Sequence, residues 1–202
     1  MHSNSSKRKS NEYVTLSITL FGITLVVAVL LALVNFMTAG KIEAIKAERL
    51  KSSMSTVLPK AVSFEDMTDI VLEKWSGDTE VLSVQLALDS KGKTLGYCVE
   101  VCPMGYSDKI DMMVGINMDG EITDTSIISL SDTPGIGTQI KEKEFSSQFL
   151  NKSGVIVPTK GSANATGEVA LISGATYSSS GFTNGVNAAL QAYKIVIEEG
   201  AK

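Results

Sequence analysis

Residues 81–130 read VLSVQLALD-SKGK-TLGYCVEVC-PMGYSDK-IDMMVGINM-DGE-ITDTSIISL, and this stretch decides the fold. Four segments rich in β-branched residues are separated by short clusters of Gly, Ser, Asp and Pro, the pattern of strands joined by turns. Connections this short force neighbouring strands to run antiparallel. Met118-Asp119-Gly120-Glu121 is the clearest hairpin signal, because Asp-Gly readily takes the positive φ values of a tight two-residue turn. Outside the strand block, 64–75 and 141–150 read as short helices, and 179–199 as a longer one with Val186, Leu190, Tyr193 and Ile197 on one face. Strands grouped together, with helices before and after, predict an α+β fold: an antiparallel sheet flanked by helices.

Ahead of this domain, residues 16–37 read LSITLFGITLVVAVLLALVNFM, 22 residues without a charge. As a helix this segment spans roughly 33 Å, enough to cross a bilayer. A cleaved signal peptide has a shorter apolar core of about 7–15 residues and small residues before the cut, whereas Met37 and Ala39 would occupy those positions here. The expected organisation is a tail at 1–13, a transmembrane helix at 14–39, a juxtamembrane stalk helix at 40–59 and a folded domain at 60–202. Lys7, Arg8 and Lys9 precede the span and Lys41, Lys46, Arg49 and Lys51 follow it, so basic residues alone do not orient it.

Composition removes several functions. The chain of 202 residues carries 18 basic and 22 acidic residues, a net charge of −4, without a basic run able to track a phosphate backbone; nucleic acid is not an expected partner. His2 is the sole histidine, which excludes His-based triads and His-rich metal sites. Cys98 and Cys102 are four apart in a strand, about 13 Å, beyond the reach of a disulfide, and are expected as packing residues. Trp75 and the methionines read as core or interface residues.

The chemistry concentrates near the C-terminus. Ser173-Gly174-Ala175-Thr176 precedes Tyr177 and the hydroxyl run Ser178, Ser179 and Ser180, just before the last helix. Small residues leave the backbone open to close approach, and a helix start offers unpaired N–H groups and a positive dipole end, which together suit a phosphate. The same serines would also serve as plain helix caps. A second element is Asp132-Thr133-Pro134-Gly135-Ile136-Gly137, a rigid glycine-punctuated loop closing the fourth strand, which by itself reads equally as a Pro-Gly turn. Residues 161–167 (GSANATG) read as a loop before the final motif.

With the anchor, the stalk, Leu58-Pro59, the strand block, the 132–137 loop and Ser173-Gly174-Ala175-Thr176 in this order and spacing, the sequence resembles the FMN-binding domain family, and within it the G subunits of Rnf electron-transport complexes. The resemblance implies covalent FMN, joined through its phosphate to Thr176 by a separate Mg²⁺-dependent flavin transferase that uses FAD. It implies Ser173, Gly174 and Ala175 around the phosphate, and Thr133, Gly135, Ile136 and Gly137 against the flavin ring. It further implies an electron-transfer subunit rather than a stand-alone enzyme. Its partners would be the other membrane and peripheral subunits of a ferredoxin:NAD oxidoreductase complex coupled to Na⁺ or H⁺ translocation, together with membrane lipid. The tail at 1–13 would be cytoplasmic and the flavin domain extracytoplasmic, at the cell membrane. The family commonly has an aspartate three residues before the Ser/Thr; here that position is Ala170. Two other readings stand beside this one. The C subunit of the sodium-translocating NADH:quinone oxidoreductase shares the domain, although its chains are usually longer, and a non-redox anchored module could hold flavin or phosphate reversibly.

Overall fold

The computed structural model describes residues 4–132, 135, 137–163 and 165–200, and it divides into two units, residues 1–47 and 48–202. Helix α1 (Asn4–Val57) supplies the first unit up to residue 47 and its residues 48–57 belong to the second; its apolar stretch is long enough to cross a membrane. The side chains there are exposed, among them Leu20, Phe21, Leu31 and Phe36. A surface of that extent is stable in lipid and not in water. The stretch also has hydroxyls, and these turn back on the helix: Thr24 Oγ1 donates to the Leu20 carbonyl at 3.1 Å and Thr38 Oγ1 to that of Val34 at 2.8 Å, so neither meets the apolar medium unpaired.

In the second unit, five strands form an antiparallel meander in the order β1 (Ser63–Asp66), β2 (Glu80–Leu88), β3 (Thr94–Cys102), β4 (Ile110–Asn117) and β5 (Ile122–Leu130). The last four are the strands expected from the sequence. The first takes over the start of the helix expected over 64–75, and the helix shrinks to α2 (Thr68–Leu72). Ser-Phe-Glu-Asp lacks the strand-forming composition, but pairing with β2, from Ser63 opposite Leu88 to Asp66 opposite Gln85, overrides it. The β4–β5 hairpin also differs in detail. Asn117 N–H donates to the Glu121 carbonyl at 2.9 Å, leaving a three-residue loop in which Gly120 alone has positive φ. The Asn117 side chain decides this, since its Oδ1 accepts the N–H groups of Asp119 and Glu121, each at 2.9 Å.

Helix α3 (Lys143–Ser146) lies between two 3₁₀ turns, and β6 (Val157–Thr159) pairs in parallel with β7 (Glu168–Ala170). Helix α4 (Thr176–Gly200) packs across the sheet. Phe182, Val186, Ala189, Leu190 and Val196 of α4 are buried against Val84, Val99, Met112 and Val114. Phe145, Phe149 and Phe182 form a ring trio with centroids 5.1–5.4 Å apart, which fixes the α3 region against α4. Asn187 makes the second anchor: it accepts the Ile156 N–H and donates to the Ile156 carbonyl, both at 2.8 Å. On the opposite face of the sheet Met54 and Val57 at the end of α1, and Leu58 just after it, form a smaller cluster with Ala87, Cys98, Met113 and Ile128.

Candidate functional site

The site begins with a turn. Ala175 N–H donates to the Ile172 carbonyl at 3.0 Å, and Gly174 within that turn takes φ 83°, a conformation that would strain any side-chain-bearing residue. Thr176 is therefore the first residue of α4, three positions earlier than expected for that helix. Ser179 fastens the turn to the helix. Its Oγ donates to the Ala175 carbonyl at 2.8 Å and accepts the Ile172 N–H at 3.4 Å.

Ser178, one residue earlier, points elsewhere. Its Oγ donates to Oδ2 of Asp132, a residue at the end of β5 and 46 positions away. Asp132 and Ser178 are both buried. Gly137 lies against this carboxylate so closely that a Cβ there would collide with it. The 3₁₀ turn Gly137–Lys141 is thus drawn up to the start of α4.

These elements enclose an open cavity of about 480 Å³, lined by Tyr106, Asp132, Gly137, Gly174, Ala175, Thr176, Tyr177 and Ser178. Tyr106 comes from the β3–β4 connection, and its ring centroid is 5.9 Å from that of Tyr177; both rings are largely exposed. Among the described residues of the lining none carries positive charge. The N–H groups of Thr176, Tyr177 and Ser178 have no acceptor within their own helix, as at every helix start, so an anion here would meet backbone donors and the positive end of α4.

Of the residues singled out from the sequence, Gly137, Gly174, Ala175 and Thr176 come together at this cavity. Ser173 is exposed in the turn outside its lining. Gly135 is also exposed, and it is tied to its own loop: its N–H donates to Thr138 Oγ1 at 2.9 Å and its carbonyl accepts Gln139 Nε2 at 2.8 Å. Thr133 and Ile136 lie outside the described residues. Tyr106 and Tyr177 carried no sequence signal for this site. Asp132 and Ser178 stood inside recognised motifs, but their mutual contact joins segments whose proximity only the fold determines. Ala170 is held through its backbone, with its N–H on Gln148 Oε1 at 2.8 Å and its carbonyl accepting Gln148 Nε2 at 3.3 Å. No cluster able to hold a metal ion occurs among the described residues.

Burial raises both thiols above their ordinary range. Cys98, fully enclosed, is pushed up to about 12, and Cys102 rises by desolvation first and by the neighbouring Asp111 carboxylate second. Neither thiol lines the cavity.

Residues 105–191 match the FMN-binding domain. The chain is 34% identical over 189 residues to the G subunit of the Na⁺-translocating ferredoxin:NAD⁺ oxidoreductase complex of Acetobacterium woodii, a match covering 89% of this chain and 90% of that one. It is 33% identical over 182 residues to the G subunit of the ion-translocating oxidoreductase complex of Methanosarcina acetivorans, covering 90% and 94% respectively. Among solved structures, NqrC of Shewanella oneidensis superposes with a TM-score of 0.51 at 18% identity, over 72% of this chain and 74% of that one. The C subunit of the Na⁺-translocating NADH-quinone reductase of Parabacteroides distasonis gives the same TM-score at 20% identity, over 67% and 77%. At these identities the two structures speak to the fold.

Proposed function

The chain belongs to the family of G subunits of ion-translocating oxidoreductase complexes, and from that premise we propose that it is the electron-relay subunit of an Rnf-type complex with FMN esterified to Thr176. The observation that carries the choice of Thr176 is the fate of the neighbouring hydroxyls. Ser178 and Ser179 are buried and engaged with Asp132 and with the Ile172–Ala175 turn, whereas Thr176 is half-exposed and lines the cavity. Among the described residues its Oγ1 has no hydrogen-bond partner.

The surroundings fit the cofactor. A cavity of about 480 Å³ lies within the roughly 300–1,000 Å³ of small-molecule sites. Thr176 would supply the ester oxygen through its Oγ1, with AMP leaving from FAD and taking up the hydroxyl proton. The first N–H groups of α4 would hold the phosphate, with Gly174 and Ala175 leaving room for it; the assignment of Ser173 to it rests on the family resemblance. Tyr106 and Tyr177 provide aromatic surface for the ring. The assignment of Thr133, Gly135, Ile136 and Gly137 to the ring rests on the family resemblance, with Gly137 at the cavity wall. Bound FMN exchanges one or two electrons, so it can join carriers of different electron number.

Ferredoxin and NAD would be handled by other subunits of the complex. A flavin transferase would load this one, and lipid would surround 14–39. The domain at 60–202 would lie on the extracytoplasmic side, joined to the anchor through the stalk at 40–59; protease added to intact spheroplasts should then degrade the domain, and full protection would place it inside. The attachment is tested by co-expressing the chain with a flavin transferase, denaturing it and viewing the gel under ultraviolet light. A fluorescent band that disappears in Thr176→Ala and persists in Ser178→Ala is expected. A dark wild-type band, or fluorescence retained by Thr176→Ala, contradicts the reading.

A further inference from the structure

Asp132 shares the cavity with Thr176. It is only 8% exposed, and the hydroxyl that donates to it, Ser178, is 1% exposed. Gly137 closes in on one side and the first turn of α4 on the other. Removing a carboxylate from water to this degree is unfavourable unless other groups replace the lost hydration. Ser178 and the positive end of α4 do part of this.

We propose that Asp132 sets the electron affinity of the flavin, an inference that rests on the assignment of FMN to Thr176. A flavin ring that gains an electron gains negative charge, and a fixed carboxylate on the wall of the same cavity opposes that gain with little screening by water. Asp132 therefore holds the midpoint potential low and favours passing electrons onward. It acts through its field and forms no bond to the cofactor, so it is a tuning residue and not a catalytic one. The hydrogen bond from Ser178 moderates the same field, since it withdraws charge from Oδ2. Loss of charge at 132 and loss of the donor at 178 should thus move the potential in opposite directions.

The experiment uses the full chain in detergent, loaded by co-expression with a flavin transferase. Intact mass is measured first: a wild-type chain without bound flavin contradicts the attachment and leaves the test of Asp132 distinct from it. Spectroelectrochemical titration then follows the visible absorbance, which reports the loaded fraction alone. The midpoint potential should shift positive in Asp132→Asn and negative in Ser178→Ala. An unchanged or more negative potential in Asp132→Asn overturns the proposal. So does an equal positive shift in both variants, because that pattern reports loosened packing around the ring and not a lost charge.

Discussion

One face of the five-stranded sheet carries α4 and a core that runs from Val84 through Met112 and Val114 to the Phe145–Phe149–Phe182 trio; the opposite face carries the last turns of α1 through Met54 and Val57, with Leu58 just after them. The two faces also differ in how polar contacts are used. On the α1 face these contacts hold the helix end to the sheet: Thr123 Oγ1 donates to the Val57 carbonyl at 2.7 Å and Ser126 Oγ donates to Ser53 Oγ at 3.1 Å. On the α4 face the comparable contacts, Ser179 with the Ile172–Ala175 turn and Ser178 with Asp132, shape a cavity. Stability and function are therefore coupled on the α4 face, whereas the α1 face serves attachment to the sheet.

Substitutions on the two faces should separate accordingly. The largest effect is expected for Phe182→Ala, which empties the centre of the aromatic trio and should cost about 3–5 kcal/mol in a denaturant titration, with flavin loading falling alongside. Loading that stays normal at that loss of stability would uncouple the α4 core from the site. Gly174→Ala forces a side chain into φ 83° and should cost roughly 1–2 kcal/mol while lowering the flavin fluorescence of the denatured band. On the other face, Ile128→Val should cost about 0.5–1.5 kcal/mol and leave the bound flavin at the wild-type level. Flavin loss in that variant would break the comparison from the opposite side.

An effect confined to alkaline pH concerns the thiols. Cys98 holds its proton to about 12 in the folded chain, above its ordinary value of 9.0, so above pH of about 9 the unfolded chain releases this proton first and stability falls as pH rises toward 12. Cys98→Ala should remove that part of the alkaline decline, as read from unfolding midpoints across this pH range. At neutral pH iodoacetamide should reach Cys102, which is half-buried, and spare the buried Cys98 until the chain unfolds.

The strands β2 to β5 were legible because their β-branched residues and their turn residues agree, and the buried stripe of α4 was legible from Val186 and Leu190. β1 was not, since Ser63–Asp66 is short, mostly polar and held by its edge pairing with β2. The start of α4 was missed by three residues because Thr176, Tyr177 and Ser178 are weak helix formers, fixed in place by the turn before them. Ser173-Gly174-Ala175-Thr176 marked the position of the site, but its walls depend on contacts between distant segments. Tyr106 and Tyr177 meet across 71 positions, and Ser178 meets Asp132 across 46, distances over which local pattern says nothing.

The central claim is the bond at Thr176, and peptide mapping tests it most directly. Trypsin should release residues 161–194 as one peptide that contains every hydroxyl of the 173–180 segment. From the flavin-loaded full chain, this peptide should carry the added mass of one FMN less water, with fragmentation placing it on Thr176. An unmodified peptide, or FMN on Ser173, Ser178, Ser179 or Ser180, would contradict the account.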